Sequence, residues 1–269
     1  MKLATHHVEK PWGRTDLPAV FAARAGAMIG EVWFDAPERP LPLLVKWLFT
    51  SDRLSIQVHP DDAQARAAGA VSGKEECWVV TSAEPGATLG IGTLRPLAAD
   101  ELRAAVLSGE IEALMDWKPV RAGDFYFIPA GTVHAIGAGV TLVEVQQNAD
   151  ITYRLYDYGR PRALHLNEGL AVSRAEPYTD PRSGQIDQSA EQALVDCPHF
   201  ALWHLRGAAI AQRAEHPAAR WVIPLSGTIE AGGATAGCGE CLYLEDRVAL
   251  SVWDDCTALV AFEGSGNDV

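Results

Sequence analysis

The sequence predicts a mainly β protein, an antiparallel sandwich or barrel followed by a second and smaller β unit, on three observations. Short apolar runs dominate residues 26–34, 41–49, 53–59, 76–82, 123–130, 139–147 and 151–158, with Gly, Pro and Asp between them. That spacing suits strands joined by turns rather than βαβ units. Helical periodicity, the second observation, is confined to two places. Over 97–117, Leu102, Val106, Ile111 and Leu114 recur at helical intervals, and Asp100 and Glu101 suit the helix start. Ser108 and Gly109 divide this stretch into two short helices, and residues 61–69, directly after His59 and Pro60, form another candidate. The third observation is a polar, turn-rich segment over 173–192, beyond which strand-like runs resume at 200–207, 219–233, 239–246, 248–255 and 257–263. The expected organisation is one domain over 1–175 with a helical insertion around 98–116, then a smaller β domain over 176–269 whose residues 264–269 fray.

Composition narrows the function classes. A chain of 269 residues that is 48% hydrophobic and 21% charged can bury a sizeable core, which excludes disorder throughout. The formal charge is −13, and no basic run interrupts it, so nucleic acid and anionic membrane are poor partners. A small anionic substrate would have to be held by a few locally placed cations. No apolar run approaches the roughly 18 residues that span a bilayer, and residues 1–13 lack the apolar stretch of a signal peptide. The expectation is a cytoplasmic protein, monomeric or weakly dimeric. Cys77, Cys197, Cys238, Cys241 and Cys256 are an odd, scattered set that reads as reduced thiols. The close pair Cys238 and Cys241 lacks the second pair, or the histidines, that a zinc site of that type needs.

The chemistry concentrates in three strand-like segments. A period of two over 53–59 places Ser55, Gln57 and His59 on one face and Leu54, Ile56 and Val58 on the other. The same alternation over 74–80 puts Lys74, Glu76 and Trp78 together, opposite Cys77 and Val79. In the third segment, Gly123, Pro129 and Gly131 shape a turn that presents His134 inward. Two histidines, a glutamate and a glutamine amide oxygen make a plausible set of metal ligands, with room for water or substrate. Leaving so many polar groups in a core without such a role would be costly.

The stretch from Gly123 to His134 resembles the second motif of cupins, small double-stranded β-helix jelly rolls that often carry a metal. The first cupin motif usually has two histidines flanking one residue; here Gln57, Val58 and His59 stand in that place, with Glu76 later. That departure is similar to the type I mannose-6-phosphate isomerases, in the short bacterial form. Further matches are Trp12, Glu31, Lys46, Lys74 and the segment around Arg154, so the resemblance covers roughly residues 8 to 175. It implies a cupin domain with one zinc ion (Zn2+) held by Gln57, His59, Glu76 and His134. It also implies interconversion of mannose 6-phosphate and fructose 6-phosphate through an enediolate, and a degenerate cupin-like second domain. Among the histidines of that second domain, His199, His204 and His216 lack the turn arrangement that presents His134.

Residue chemistry supports the added positions. Only five lysines occur, and Lys46 stands inside the apolar run 41–49, where an ammonium is expensive unless an anion compensates. Aldose-to-ketose conversion needs a base at the carbon beside the carbonyl and positive charge near the enediolate. Lys74 and Glu144 are the candidate proton-transfer groups, through a Lys74 pKa lowered by burial and metal charge or a Glu144 pKa raised by burial, and a metal-bound water is a third. The resemblance makes Arg154 catalytic, while Lys46 and Ser55 are candidates for holding the sugar phosphate. A metal cupin can instead be an iron oxygenase, a non-catalytic sugar-phosphate sensor, or an isomerase of another phosphorylated aldose.

Overall fold

Alternating side chains over the first 160 residues become two facing antiparallel sheets. The computed structural model describes residues 1–264 except 22, 23, 25, 37 and 215–218, so the expected fraying after 264 and His216 both lie outside the described residues. The elements in order are β1 (Ala4–Arg14), β2 (Ile29–Asp35), β3 (Leu43–Phe49), β4 (Ile56–Val58), α1 (Asp62–Ala67), β5 (Glu76–Ala83) and β6 (Thr88–Thr93). Next come α2 (Ala99–Ser108), α3 (Ile111–Leu114), β7 (Met115–Pro119), β8 (Asp124–Ile128), β9 (His134–Ile136), β10 (Val140–Gln147), β11 (Tyr153–Tyr156), α4 (Leu166–Val172) and β12 (Ser183–Gln185). Seven of the strands form one sheet in the order β1-β2-β3-β10-β5-β8-β12, and five form the other in the order β11-β4-β9-β6-β7. The two sheets do not close into a barrel.

The seven-stranded sheet is covered on both faces, which is why β3 reads as an unbroken apolar run and is buried at every position. Its inner face supplies Leu48, Trp78, Val80 and Leu142 to a core shared with Leu89, Ile91 and Ile136 of the five-stranded sheet. Its outer face, with Val45, Trp47, Phe49, Cys77, Val79 and Val143, packs on residues from beyond position 190. The helices cap the outside of the smaller sheet: Leu102, Ala105, Val106 and Ile111 pack on Ile56, Val58, Val133 and Ala135. The division between α2 and α3 falls where expected, because Gly109 adopts φ 82°, a left-handed helix ending. The insertion is shorter than expected, since Met115 pairs with Thr93 at the start of β7 instead of continuing the helix.

The second set of strands is β13 (Gln192–Asp196), β14 (Phe200–Arg206), β15 (Arg220–Ser226), β16 (Thr228–Ala231), β17 (Ala234–Gly237), β18 (Leu242–Leu244), β19 (Leu250–Val252) and β20 (Thr257–Glu263), with α5 (Ala208–Ala214) after β14. They form a five-stranded sheet, β13-β14-β20-β15-β18, against a three-stranded one, β17-β16-β19. Phe200, Leu202, Trp221, Ile223 and Leu259 meet the outer face of the large sheet in one continuous cluster. β12, although it follows residue 175, pairs with β8 in the first unit's sheet. No helix among the described residues is long and apolar enough to cross a membrane.

Candidate metal centre and active site

Strand register lays out two facing rows of side chains. In the large sheet, Lys46 pairs with Glu144, and Glu144 pairs in turn with Trp78. In the small sheet, Arg154 pairs with Gln57, and Gln57 with His134. The rows face each other across a cavity of about 370 Å³ lined by residues including Lys46, Ser55, Gln57, Lys74, Glu144, Thr152 and Arg154.

Loops fix what the strands do not. Gly131, at φ 84°, donates its N–H to His59 O at 2.8 Å and so draws the turn before His134 against β4. A Cβ there would meet Val172 O and Arg174 Nε at 3.0 Å, which explains the glycine. On the other side of His59, Asp61 and Gln64 form a reciprocal capping box that starts α1. The loop after α1 returns so that Lys74 N–H donates to Pro60 O at 3.0 Å, bringing Lys74 and Glu76 beside His59.

His59, Glu76 and His134 are all buried, and one ligating atom from each lies within 4.8 Å of the others. His59 Nδ1 lies 2.8 Å from Ile151 O, and His134 Nδ1 lies 2.9 Å from Thr132 O. A carbonyl only accepts, so each Nδ1 carries the proton and each Nε2 bears a lone pair. Burial keeps the rings neutral, holding His59 well below its usual pKa and His134 down at about 4. These lone pairs face Glu76 at 3.5 Å from His59 and 3.4 Å from His134. Two neutral imidazole nitrogens and a carboxylate thus converge as nitrogen and oxygen donors, with the Lys74 ammonium, 2.7 Å from Glu76, balancing the carboxylate. The set therefore fits a metal, and the carbonyls behind both histidines are the outer partners that ligating imidazoles use.

Gln57 reaches the same place less directly. Its Nε2 lies 3.3 Å from His134 Nε2, while Ser55 Oγ donates to its Oε1 at 3.2 Å. A ligating Gln57 would turn its amide so that oxygen replaces nitrogen.

The charged row opposite is tightly coupled. Lys46 Nζ donates to Glu144 Oε1 at 3.1 Å and lies 4.7 Å from the Trp33 ring centre. Trp78 Nε1 donates to Glu144 Oε2 at 3.0 Å. Lys74 Nζ is 2.7 Å from Glu76 Oε2 and 3.1 Å from His59 Nε2, yet neither Glu76 oxygen receives a well-aligned hydrogen bond among the described residues. The sequence-based pKa expectations for the two candidate bases are reversed. Although burial opposes it, Glu76 and Glu144 push Lys74 up, and Lys46 and Lys74 hold Glu144 down at about 2. Burial and the nearby Glu144 raise Glu76 to about 7. Strand periodicity showed each of these groups on its face but could not show that they neutralise one another across strands.

Arg154 lines the cavity, with Nη1 donating to Ala163 O at 2.8 Å and Nε buried without a hydrogen-bond partner among the described residues. Asp157, Arg162 and His165, at or beside the same cavity, were missed by sequence reading, because their association depends on a turn rather than on strand alternation. A larger cavity, about 1000 Å³, opens between the outer face of the large sheet and the second unit, but Trp47, Phe49, Val79 and Leu225 line it. The ligating cluster lies on the opposite face of the sheet.

Comparison with known proteins follows this geometry. The mannose-6-phosphate isomerase of Streptococcus mutans is 37% identical over 193 residues, covering 68% of this chain and 61% of its own length. The crystal structure of the mannose 6-phosphate isomerase from Bacillus subtilis superposes with a TM-score of 0.80 at 25% identity, over 97% of this chain and 98% of that one. A zinc-bound mannose 6-phosphate isomerase structure shares the fold, at TM-score 0.70 and 16% identity over 98% and 99% of the two chains. No family model matches. In sequence, the chain spans about three-fifths of the length of the curated relatives it matches.

A two-sheet jelly roll with a His-Glu-His cradle between its sheets defines a cupin with a candidate metal centre. In sequence and in fold the chain is similar to mannose-6-phosphate isomerases.

Proposed function

We propose that the protein is a metal-dependent aldose-ketose isomerase that interconverts mannose 6-phosphate and fructose 6-phosphate. The observation that carries this reading is the convergence of His59, Glu76 and His134 beside a cavity bearing Lys74, Glu144 and Arg154. The names of its sequence relatives support the substrate. His59, Glu76 and His134, with Gln57 as a fourth, would hold one zinc ion, which when bound supplies Lewis acidity toward the substrate oxygens.

The chain's own groups do the rest. Lys74 and Glu144 stand 3.9 Å apart and form the pair assigned to proton transfer at the carbon beside the carbonyl. Arg154 places its guanidinium where an enediolate oxygen gains charge. Ser55 and Lys46 orient the substrate on opposite walls. The small sheet and its facing partner exclude water, with Trp78 and His134 rings in edge contact at 5.3 Å. In this reading the unit over 1–175 is catalytic, and the unit over 176–269 covers it. Five free cysteines fit a reducing, cytoplasmic setting.

The test is a coupled assay over a panel of aldose phosphates, with metal content measured on the same sample. Turnover with mannose 6-phosphate is expected to exceed that with the other sugars at least tenfold. A different preferred sugar would reassign the substrate, and no turnover with metal bound would remove the activity.

His204 provides a contrast in the second unit. It is buried on β14, and neither ring nitrogen has a well-formed hydrogen bond among the described residues. Burial lowers its pKa below the unfolded value, so the folded state binds fewer protons. Its contribution to stability is present above about pH 6.5 and is lost as pH falls toward its folded pKa. His204→Leu is therefore expected to show a smaller drop in Tm between pH 7 and pH 5 than the parent. Its turnover should stay within about threefold, under 1 kcal/mol of barrier. Loss of bound metal in this variant would contradict the assignment of the site to the first unit.

A further inference from the structure

The outer part of the active-site cavity is lined by Arg154, Arg162, His165 and Asp150. Arg162 is held there by a single buried carboxylate. Asp157, only 2% exposed, accepts Arg162 Nε and Nη2 at 2.6 Å each, one on each oxygen, and also accepts Arg160 Nε at 3.1 Å. Two guanidiniums thus share one carboxylate.

The two arginines are not equivalent. Arg160 commits its other donors to Asp52 at 3.3 Å and to Arg53 O at 2.7 Å, and it does not line the cavity. Arg162 lines the cavity and keeps Nη1 without a partner among the described residues. The backbone is bent to achieve this arrangement. Tyr158 takes φ 53° and Gly159 φ 79°, and Arg160 N–H closes the turn on Asp157 O at 3.0 Å. A left-handed tyrosine is unfavourable in itself and persists where its surroundings require it.

We infer that Arg162, aimed by Asp157, grips the dianionic phosphate of the substrate, with Asp157 as its positioning residue. This inference rests on the sugar-phosphate reading above. Lys46 has its charge balanced by Glu144 and Ser55 donates to Gln57, whereas Arg162 keeps Nη1 open among the described residues. Arg154 stands close enough to be affected: its pKa is lowered, by burial first and by Arg162 next. Two guanidiniums lining one cavity in a chain of charge −13 form a seat for an anion.

The experiment measures steady-state kinetics with mannose 6-phosphate and competitive inhibition by inorganic phosphate, alongside calorimetric binding of phosphate. Arg162→Ala is expected to raise KM and the phosphate inhibition constant about 30-fold or more, with kcat within about threefold. Arg162→Lys should recover part of the affinity, because an ammonium restores charge but not the two-pronged donor. Asp157→Asn, which keeps the side-chain shape, should weaken phosphate binding about tenfold. A merely structural salt bridge would instead lower Tm and leave phosphate affinity unchanged, and that result overturns the inference. If the parent protein turns over no sugar phosphate yet binds inorganic phosphate through Arg162, the isomerase reading fails and the anion seat stands.

Discussion

Glu76→Gln is expected to abolish stoichiometric zinc binding and to lower turnover by about 1,000-fold or more, about 4 kcal/mol of barrier. The substitution conserves volume and burial, so packing around the site should hold. It removes the only negative charge of the His59, Glu76 and His134 cradle, which faces two neutral imidazole lone pairs at 3.5 and 3.4 Å. An amide there offers a weaker oxygen donor and a competing NH2 group. A metal that binds only the folded state raises Tm, so zinc should shift the melting of the parent and not of the variant. His134→Ala should behave in the same way. Metal content by elemental analysis, melting with and without zinc, and turnover together check the prediction. Normal zinc content in Glu76→Gln would place the metal elsewhere.

Arg154→Ala is expected to lower kcat by roughly 100-fold, about 2.7 kcal/mol, while KM changes much less. Arg154 has no carboxylate within 4.0 Å among the described residues; its fixed contacts are the backbone oxygen of Ala163 and, through its own N–H, His165. Removing it therefore breaks little structure but takes away a cation that the cavity walls do not neutralise. Arg154→Lys should recover only part of the rate, since the planar fork is lost. Steady-state kinetics decide the matter. A large rise in KM with kcat nearly unchanged would move Arg154 from transition-state stabilisation to ground-state recognition, the behaviour expected of Arg162.

Much of the site was legible because strands translate sequence spacing directly into shared faces. Ser55, Gln57 and His59 alternate with Leu54, Ile56 and Val58, and the fold buries Leu54 in one apolar cluster and Ile56 and Val58 in another, while Ser55 and Gln57 line the cavity and His59 joins the ligating set. The turn from Gly123 to His134 was legible for a different reason: glycine at φ 84° leaves few alternatives for the chain. β1 was not read as a strand, because its His6, His7, Glu9 and Lys10 give no apolar alternation. It is an edge strand, where charged residues discourage pairing with other chains. β6 was obscured by Gly90 and Gly92; Gly90 lies under the Trp117 ring, where a Cβ would come within 3.1 Å.

Electrostatic coupling was the least legible part. Lys46, Lys74, Glu76 and Glu144 come from three strand regions, and their mutual neutralisation reverses the pKa directions that burial alone suggests for Lys74 and Glu144. Asp157 was hidden for the same reason, since its two arginine partners lie three and five residues away on a turn that only the folded backbone defines.

The most direct test of the central claim is a zinc titration of chelator-stripped protein, with mannose 6-phosphate turnover read at each step. Turnover should start near zero, rise linearly and level off at one zinc per chain, as a single cradle of His59, Glu76 and His134 requires. Full turnover before any metal is added, or none once one zinc per chain is bound, would contradict the account.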